Sequence, residues 1–533
     1  MKSTLLKIIF LNVLICSALF SGDFANDIKP LTKFSFKLKE KVVKQISQNY
    51  SDNPKLKILL SAMLNNKLYY KKMGKDFVVV KKENGDLYDI VGLFDNKIEK
   101  SVSKYSLKRV KVNNKLRSII RDKLAELNLF SKSKEIRLKS AQNILKNVNK
   151  KSEMIISKAL LNEKDKSVRE VLTQIDTIIK AKYGNKKEKL KAVESLSNYP
   201  SSYSLQTLEE IVRNSKDEDL KKIANNSIAS IKQTQYFYQI IEKTFFGLSL
   251  GSVLLLAAIG LAITFGVMKV INMAHGEMIM IGAYTTYTLQ QIMPNYIEYS
   301  VFLAIPLAFL VSGLFGIVIE RLIIRHLYGR PLETLLATFG ISLILQQLAR
   351  TIYSPLNKEV VTPEWMSGAW QINSALSLTY NRLYIIIFSF IVFVGILLAL
   401  NKTSLGLKIR AVTQNRQMAQ AMGIKTGLID ALTFGIGSGI AGVAGVALSQ
   451  LTNVGPNLGQ SYIVDSFMVV VFGGVGNLWG TLIAAITLGE ISKFLEPVAG
   501  AVLGKVIILI FIILFIQKRP KGLFPQKGRD EQE

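Results

Sequence analysis

The chain has one cysteine and two histidines in 533 residues. Cys16 lies in the leading apolar stretch, so an internal disulfide is excluded and the rest must be held by its cores. His275 and His326 give no basis for a histidine metal centre or a catalytic triad. No Walker A sequence, zinc-ligand cluster or nucleophile elbow is present. These absences argue against an enzyme, and neither metal nor cofactor is called for.

Charge is scarce in the second half. Phe245–Val267 reads FFGLSLGSVLLLAAIGLAITFGV, 23 residues without a charge. As a helix it would extend about 34 Å, enough to cross a hydrocarbon core of about 30 Å. Residues 1–243 carry 49 Lys+Arg against 26 Asp+Glu, net +23, and residues 244–533 carry 19 against 13, net +6. The chain is a basic half joined to an apolar, membrane-type half. The basic residues are mostly Lys spread among Asn and Ser, without clustered Arg or interleaved aromatics. That pattern fits solvated helix faces and not a nucleic-acid partner.

Residues 1–25 read as a signal peptide: Lys2 and Lys7, an apolar run from Ile8 to Phe20, then Ser21, Gly22 and Ala25. An uncleaved anchor is the alternative. Residues 26–243 read as a mainly helical, extracytoplasmic domain. Within it, about 67–112 holds β-prone runs with an Asn84-Gly85 hairpin turn. Helices return over about 113–231, where Arg137–Ile144 aligns with Lys189–Leu196 and Asp165–Arg169 with Asp217–Lys221, both at an offset of 52. A constant offset across helix pairs suggests a short HEAT-like solenoid; chance spacing of two amphipathic pairs is the bland reading.

Residues 244–525 read as a transmembrane domain and 526–533 as a cytoplasmic tail. About nine hydrophobic passes are expected: Phe245–Val267, Met278–Ile292, Val301–Ile319, Leu332–Ala349, Leu383–Leu400, Leu428–Leu448, Ile463–Val475, Leu478–Ile491 and Val506–Ile516. Thirteen of the 19 basic residues fall in three loops: Arg321 to Arg330, Lys402 to Lys425, and Lys518 to Arg529. By the positive-inside rule these loops and the C-terminus face the cytoplasm, which places residue 244 outside. The fold class expected is therefore an all-α polytopic membrane protein with an exported, mainly helical N-terminal domain and a small β element.

Polar groups at membrane depth mark function. The first such knot is Asn272–Glu277, with Asn272, His275 and Glu277 between two apolar passes. It reads as a broken helix lining a solute path, or as a turn with Glu277 capping the next helix. Thr338, Ser342 and Gln346 share one face of a later pass at i, i+4, i+8. They suit hydrogen bonds to a small polar solute or to a neighbouring helix. The second knot, Val471–Gly480, has four glycines in eight positions, with Gly473, Gly474 and Asn477 as path candidates. Each glycine costs a helix roughly 1 kcal/mol relative to Ala, so close approach or a helix break must offset it. Corresponding interruptions in two halves point to a midplane site; tight packing without a ligand is the alternative, as for Gly435–Gly445. Asn401–Gly427 is polar, basic and helix-prone, with an apolar stripe of Leu407, Ala411, Met418 and Met422. An amphipathic helix there can lie on lipid or dock in a partner's groove.

INMAHGEMIMIGAY (271–284), RAVTQNRQMAQAMGI (410–424), FGGVGNLWGT (472–481) and RPKGLFP (519–525) resemble the permease subunits of ABC importers for branched-chain amino acids and related solutes. LNNKLYY (64–70) and VNNKLR (112–117) resemble the urea-type members. The resemblance implies alternating access and a second permease subunit. It also implies separate ATP-binding subunits that hydrolyse ATP, and a periplasmic solute-binding protein. It implies an ATPase-coupling loop containing Arg410, Ala411, Asn415, Ala419 and Gly423. The expected solute is urea or a short amide. A branched-chain amino acid is the family alternative, and a non-transporting membrane sensor or scaffold the alternative of another class.

Overall fold

The computed structural model describes residues 24–50, 53–268, 270–373 and 376–525, so most of the expected signal peptide, with Cys16, and the tail at 526–533 lie outside the described residues. The chain divides into two compact units, residues 1–234 and 235–533. This boundary falls slightly earlier than the one expected near residue 243.

In the first unit, α1 (Phe36–Asn49) and α2 (Pro54–Leu64) precede β1 (Leu68–Lys71), β2 (Phe77–Asn84), β3 (Leu87–Gly92), β4 (Ile98–Ser103) and β5 (Leu107–Arg109). The strands form an antiparallel sheet in the order β4-β3-β2-β1-β5. The expected hairpin is the β2–β3 turn, where Gly85 supplies φ +62°. Alternation sorts the strands between two cores: Leu68, Tyr70 and Phe77 pack with α1, α2 and α3 (Asn114–Asn128). Tyr69, Val78, Tyr88 and Ile90 form a second cluster.

Then follow α4 (Lys134–Leu145), α5 (Glu153–Asn162), α6 (Lys166–Tyr183), α7 (Lys186–Ser195), α8 (Ser202–Asn214) and α9 (Glu218–Met268). The offset of 52 recurs in structural detail. Ser133 caps α4 and Asn185 caps α7. Asp165 accepts the Ser167 and Val168 amides at the start of α6, and Asp217 those of Asp219 and Leu220 at the start of α9. Each aspartate also pairs with the first residue of the helix two before it, Lys134 of α4 with Asp165 at 2.9 Å and Lys186 of α7 with Asp217 at 2.8 Å.

A separate pair, Arg137–Glu163, is bidentate at 2.7 and 2.9 Å and joins α4 to the end of α5. These bonds hold the Glu163 carboxyl below its ordinary value, although burial opposes them. A carboxyl depressed in the folded state stabilises fully above its unfolded value, about 4.3, and loses that contribution as pH falls through the folded value. Amide protection of α5 in the full-length protein is therefore expected to weaken on acidification below about pH 4.3. In Glu163→Gln it should be lower at neutral pH and less acid-sensitive, as hydrogen exchange would report.

The second unit continues α9 and adds α10 (His275–Ile292), α11 (Ile297–Leu322), α12 (Pro331–Tyr353), a β6–β7 ribbon (Ala369–Gln371, Ser377–Thr379) and α13 (Tyr380–Lys402). α14 (Ser404–Gln414), α15 (Arg416–Ala421), α16 (Thr426–Ser449), α17 (Leu458–Gly473) and α18 (Leu478–Lys518) complete it. The nine apolar runs fall on eight of these helices, the last two on α18, which Gly500 breaks with φ +78° and ψ +164°. Among the described residues, six helices are long and apolar enough to cross a membrane: those spanning Glu218–Met268, Pro294–His326, Pro331–Tyr353, Tyr380–Lys402, Thr426–Ser449 and Leu478–Lys518. α17 is apolar but shorter. Leu310, Leu314, Ile344, Ile391 and Leu514 are exposed, which hydrocarbon accommodates and water would not. By contrast, α16 is buried almost throughout, from Ala431 to Ser449. Its run Gly435–Gly445 lets α10 and α11 approach to backbone contact, the packing use weighed for it above.

Candidate functional site

α9 stops at Met268 and α10 starts at His275, so the first knot is a break between helices. Its backbone is satisfied locally and across the bundle. The Ala274 amide donates to Asn272 Oδ1 at 3.0 Å, and the Met273 amide donates to Thr338 Oγ1 of α12 at 3.1 Å. His275 is fully buried, with Nε2 at 3.0 Å from the Ala257 carbonyl. Gly260 makes room for the ring, since a Cβ there would come within 2.8 Å of Cε1. Glu277 does not cap its own helix. Its Oε1 accepts from Ser342 Oγ and Gln346 Nε2 of α12, both at 2.9 Å, and Gln346 also donates to Ser342 at 3.2 Å. Asn272, Glu277, Thr338, Ser342 and Gln346, read from two distant segments, thus line one buried polar seam between the break and α12, while the equally buried His275 turns to α9.

Two buried atoms at the break, Glu277 Oε2 in the seam and His275 Nδ1 beside α9, have no hydrogen-bond partner among the described residues. Nor does a Lys or Arg lie within ion-pair distance of Glu277 among them. A buried carboxylate oxygen without a donor is costly, and a polar ligand would satisfy it. The seam runs further than the sequence reading took it. Tyr284 stacks on Tyr353 of α12 with ring centroids 4.3 Å apart, and Thr288 bonds the Tyr353 hydroxyl at 2.8 Å. These positions lie seven and eleven residues beyond Glu277, and seven beyond Gln346, so helical periodicity could have found them.

Gly473, Gly474 and Asn477 lie elsewhere, at the junction from the last residue of α17 to the cap of α18, against the segment Arg519–Pro525. Leu523 and Phe524 amides donate to the Phe472 and Gly473 carbonyls at 2.9 and 3.1 Å. Asn477 caps α18 and also donates to the Phe524 carbonyl at 3.3 Å. Gly474 has φ +104°, and a Cβ there would sit 2.6 Å from the Phe524 carbonyl oxygen. Gly474→Leu is expected to leave membrane insertion intact while expelling this strap. Trypsin should then cut the tail after Lys521 at least several-fold faster, and transport should fall.

In the expected coupling loop, Thr403 caps α14 and Asn415 caps α15. Arg410 donates to the Leu400 carbonyl at the end of α13, where the helix dipole favours a cation. Ala411 closes α14 by accepting the Asn415 amide at 3.1 Å, and the buried Ala419 accepts the Ile424 amide at 3.0 Å. Gly423, at φ +83°, ends α15. Leu407, Met418 and Met422 are exposed. Arg416, Asp430, Tyr328 and Glu320 escaped the sequence reading. The signal available for them was an acid, Asp430 or Glu320, inside an apolar run.

Six helices long and apolar enough to span a bilayer, with buried carboxylate, hydroxyl and amide groups beside a helix break, are the features of a polytopic membrane protein. Residues 243–516 match the family described as branched-chain amino acid transport system, permease component, and the chain belongs to that family. It is 30% identical to the high-affinity branched-chain amino acid transport system permease protein BraD of Pseudomonas aeruginosa over 306 residues, 56% of this chain and 98% of that one. It is 28% identical to LivH, of the same description, from Escherichia coli K12, across 56% of this chain and 99% of LivH. A shorter likeness, 28% over 134 residues, covers 42% of the ribose import permease protein RbsC of Bacillus subtilis and 23% of this chain. No solved structure matches the chain.

Proposed function

We propose that this chain is the permease subunit of an ATP-binding-cassette importer and that its solute is an aliphatic amino acid. The carrying observation is the family match, which takes in nearly the whole length of the branched-chain amino acid permeases BraD and LivH. The polar seam supports the solute class. Glu277 Oε2 offers an acceptor to an ammonium group, and the N-terminal end of α10 offers a positive dipole to a carboxylate. In this reading Asn272, His275, Glu277, Thr338, Ser342 and Gln346 line the path, and the glycine knot with its strap flanks it. A second permease, ATP-binding subunits on the Arg410–Gly423 loop and a solute-binding protein complete the importer, which sits in a bacterial inner membrane with surrounding lipid.

A second reading, urea or a short amide, draws on a different observation. The family match spans residues 243–516, so the N-terminal unit lies outside it, and that unit carries the LNNKLYY and VNNKLR motifs. Urea would offer N–H donors to Glu277 and ask for no counter-charge to a carboxylate. In both readings the N-terminal unit is an external HEAT-like surface for a partner, because the basic loops and the leading segment agree on its side; protection from added protease in intact spheroplasts would contradict that placement. Uptake of labelled leucine against labelled urea, by vesicles holding the full complex and ATP, decides between the two. ATP-dependent leucine accumulation is the expected result, urea accumulation favours the second reading, and neither would return the sensor or scaffold to consideration.

A further inference from the structure

Arg416 opens α15, inside the loop between α13 and α16. Its guanidinium makes a fork with Asp430 in the first turns of α16, Nη1 to Oδ1 at 3.3 Å and Nη2 to Oδ2 at 2.5 Å. The same guanidinium lies over the Tyr328 ring, 4.9 Å from its centroid. The Tyr328 hydroxyl donates to Glu320 Oε1 of α11 at 3.0 Å, and the other Glu320 oxygen has Arg321 Nε at 3.8 Å. The Asp430 and Glu320 side chains are wholly buried, whereas Arg416 is 43% exposed. One loop arginine thus holds acids on two different membrane helices, one directly and one through a tyrosine.

Such a pair is a poor device for stability alone, because desolvating the charges offsets most of their attraction. It is a good device for fixing geometry, since the fork and the stacked ring constrain Arg416 in direction as well as distance. The helices it reaches are themselves in backbone contact. A Cβ at Gly439 of α16 would lie 2.9 Å from the Phe309 carbonyl oxygen of α11, and one at Gly442 would lie 2.6 Å from the Ala308 carbonyl oxygen. Displacing α15 therefore moves α11 and α16 together.

We infer that Arg416, Asp430, Tyr328 and Glu320 form a relay that transmits displacement of the loop to the α11–α16 pair, with Arg416 as its positioning residue. This rests on the proposed importer and adds to it the internal connection through which an ATPase subunit moves the membrane helices. The distinguishing quantity is solute moved per ATP hydrolysed, because a residue that only supports folding would lower assembly and both rates alike.

The test uses the complete complex in proteoliposomes, with co-purification of the ATPase subunit measured alongside uptake and hydrolysis. Arg416→Gln and Asp430→Asn are expected to retain the ATPase subunit while solute moved per ATP falls roughly tenfold or more, within the range of an ordinary coupling energy. Tyr328→Phe, which removes only the link to Glu320, should fall less. The exchange Arg416→Asp with Asp430→Arg should recover part of the loss, which keeps the test open if either single variant folds poorly. An unchanged ratio in assembled Arg416→Gln and Asp430→Asn complexes overturns the relay while leaving the importer standing. Loss of the ATPase subunit from Arg416→Gln also overturns it, by making Arg416 a contact with the partner. A wild-type chain that holds no ATPase subunit overturns the importer and the relay together.

Discussion

Gly282→Leu is expected to prevent the second unit from assembling, at a cost of about 3 kcal/mol or more. The reason is backbone against backbone. A Cβ at Gly282 of α10 would lie 2.0 Å from the Gly442 carbonyl oxygen and 2.5 Å from the Gly442 Cα. The facing positions are closed in the same way, since a Cβ at Gly445 would lie 2.0 Å from the Ile279 carbonyl oxygen and one at Gly442 would lie 2.6 Å from the Ala308 carbonyl oxygen. No rotamer change relieves such contacts, because the obstructing atoms are main chain. α10 would have to leave α16, and Glu277 would lose its register with Ser342 and Gln346. Gly340→Leu is the matched control, since nothing lies within 4 Å of a Cβ at that position. Monodisperse elution in detergent, with thermal stability of the purified protein, measures the difference. Normal stability for Gly282→Leu would show that α10 does not pack on α16 this closely.

The second large effect concerns transport with the fold intact. Glu277→Leu is expected to reduce uptake by roughly 10- to 150-fold, because hydrogen bonds to a charged group contribute about 1.5–3 kcal/mol and each 1.4 kcal/mol is about a factor of ten. Leucine matches the buried volume but strands the donors of Ser342 and Gln346 and removes the open Oε2 acceptor. Glu277→Gln keeps shape and partial acceptor capacity, so it should fall between wild type and Glu277→Leu. Initial-rate uptake, normalised to complex in the membrane, is the measurement. Wild-type rates in Glu277→Leu would remove the seam from the solute path.

Much of the architecture was legible in the sequence because it is encoded locally. Uncharged runs mark the membrane helices, and the β-hairpin at Gly85 and the 52-residue offset each depend on neighbours along the chain. The two polar segments of the seam were legible separately, as a knot at Asn272–Glu277 and a face at Thr338, Ser342 and Gln346. Their joining was not, because a single sequence carries no record of which helix faces which. For the same reason the glycine knot at Gly473–Gly480 gave no hint that its close approach is to Arg519–Pro525. Arg416 and Asp430 went unread because a cation in a basic loop looks solvated until its buried partner is seen.

A solute path through this chain requires the α10–α12 seam to be reachable by water and solute. Its most direct test places single cysteines at Ser342 and Gln346 in a chain whose only native cysteine, Cys16, has been changed to serine. Leu343→Cys, at a neighbouring position that is 49% exposed on the bundle surface, is the comparison. A membrane-impermeant methanethiosulfonate reagent should label Ser342→Cys and Gln346→Cys in the full complex, at rates that change with ATP and slow when solute is present, while Leu343→Cys stays unreactive in lipid. Inert cysteines at Ser342 and Gln346 in every nucleotide state would contradict a solute path through this seam.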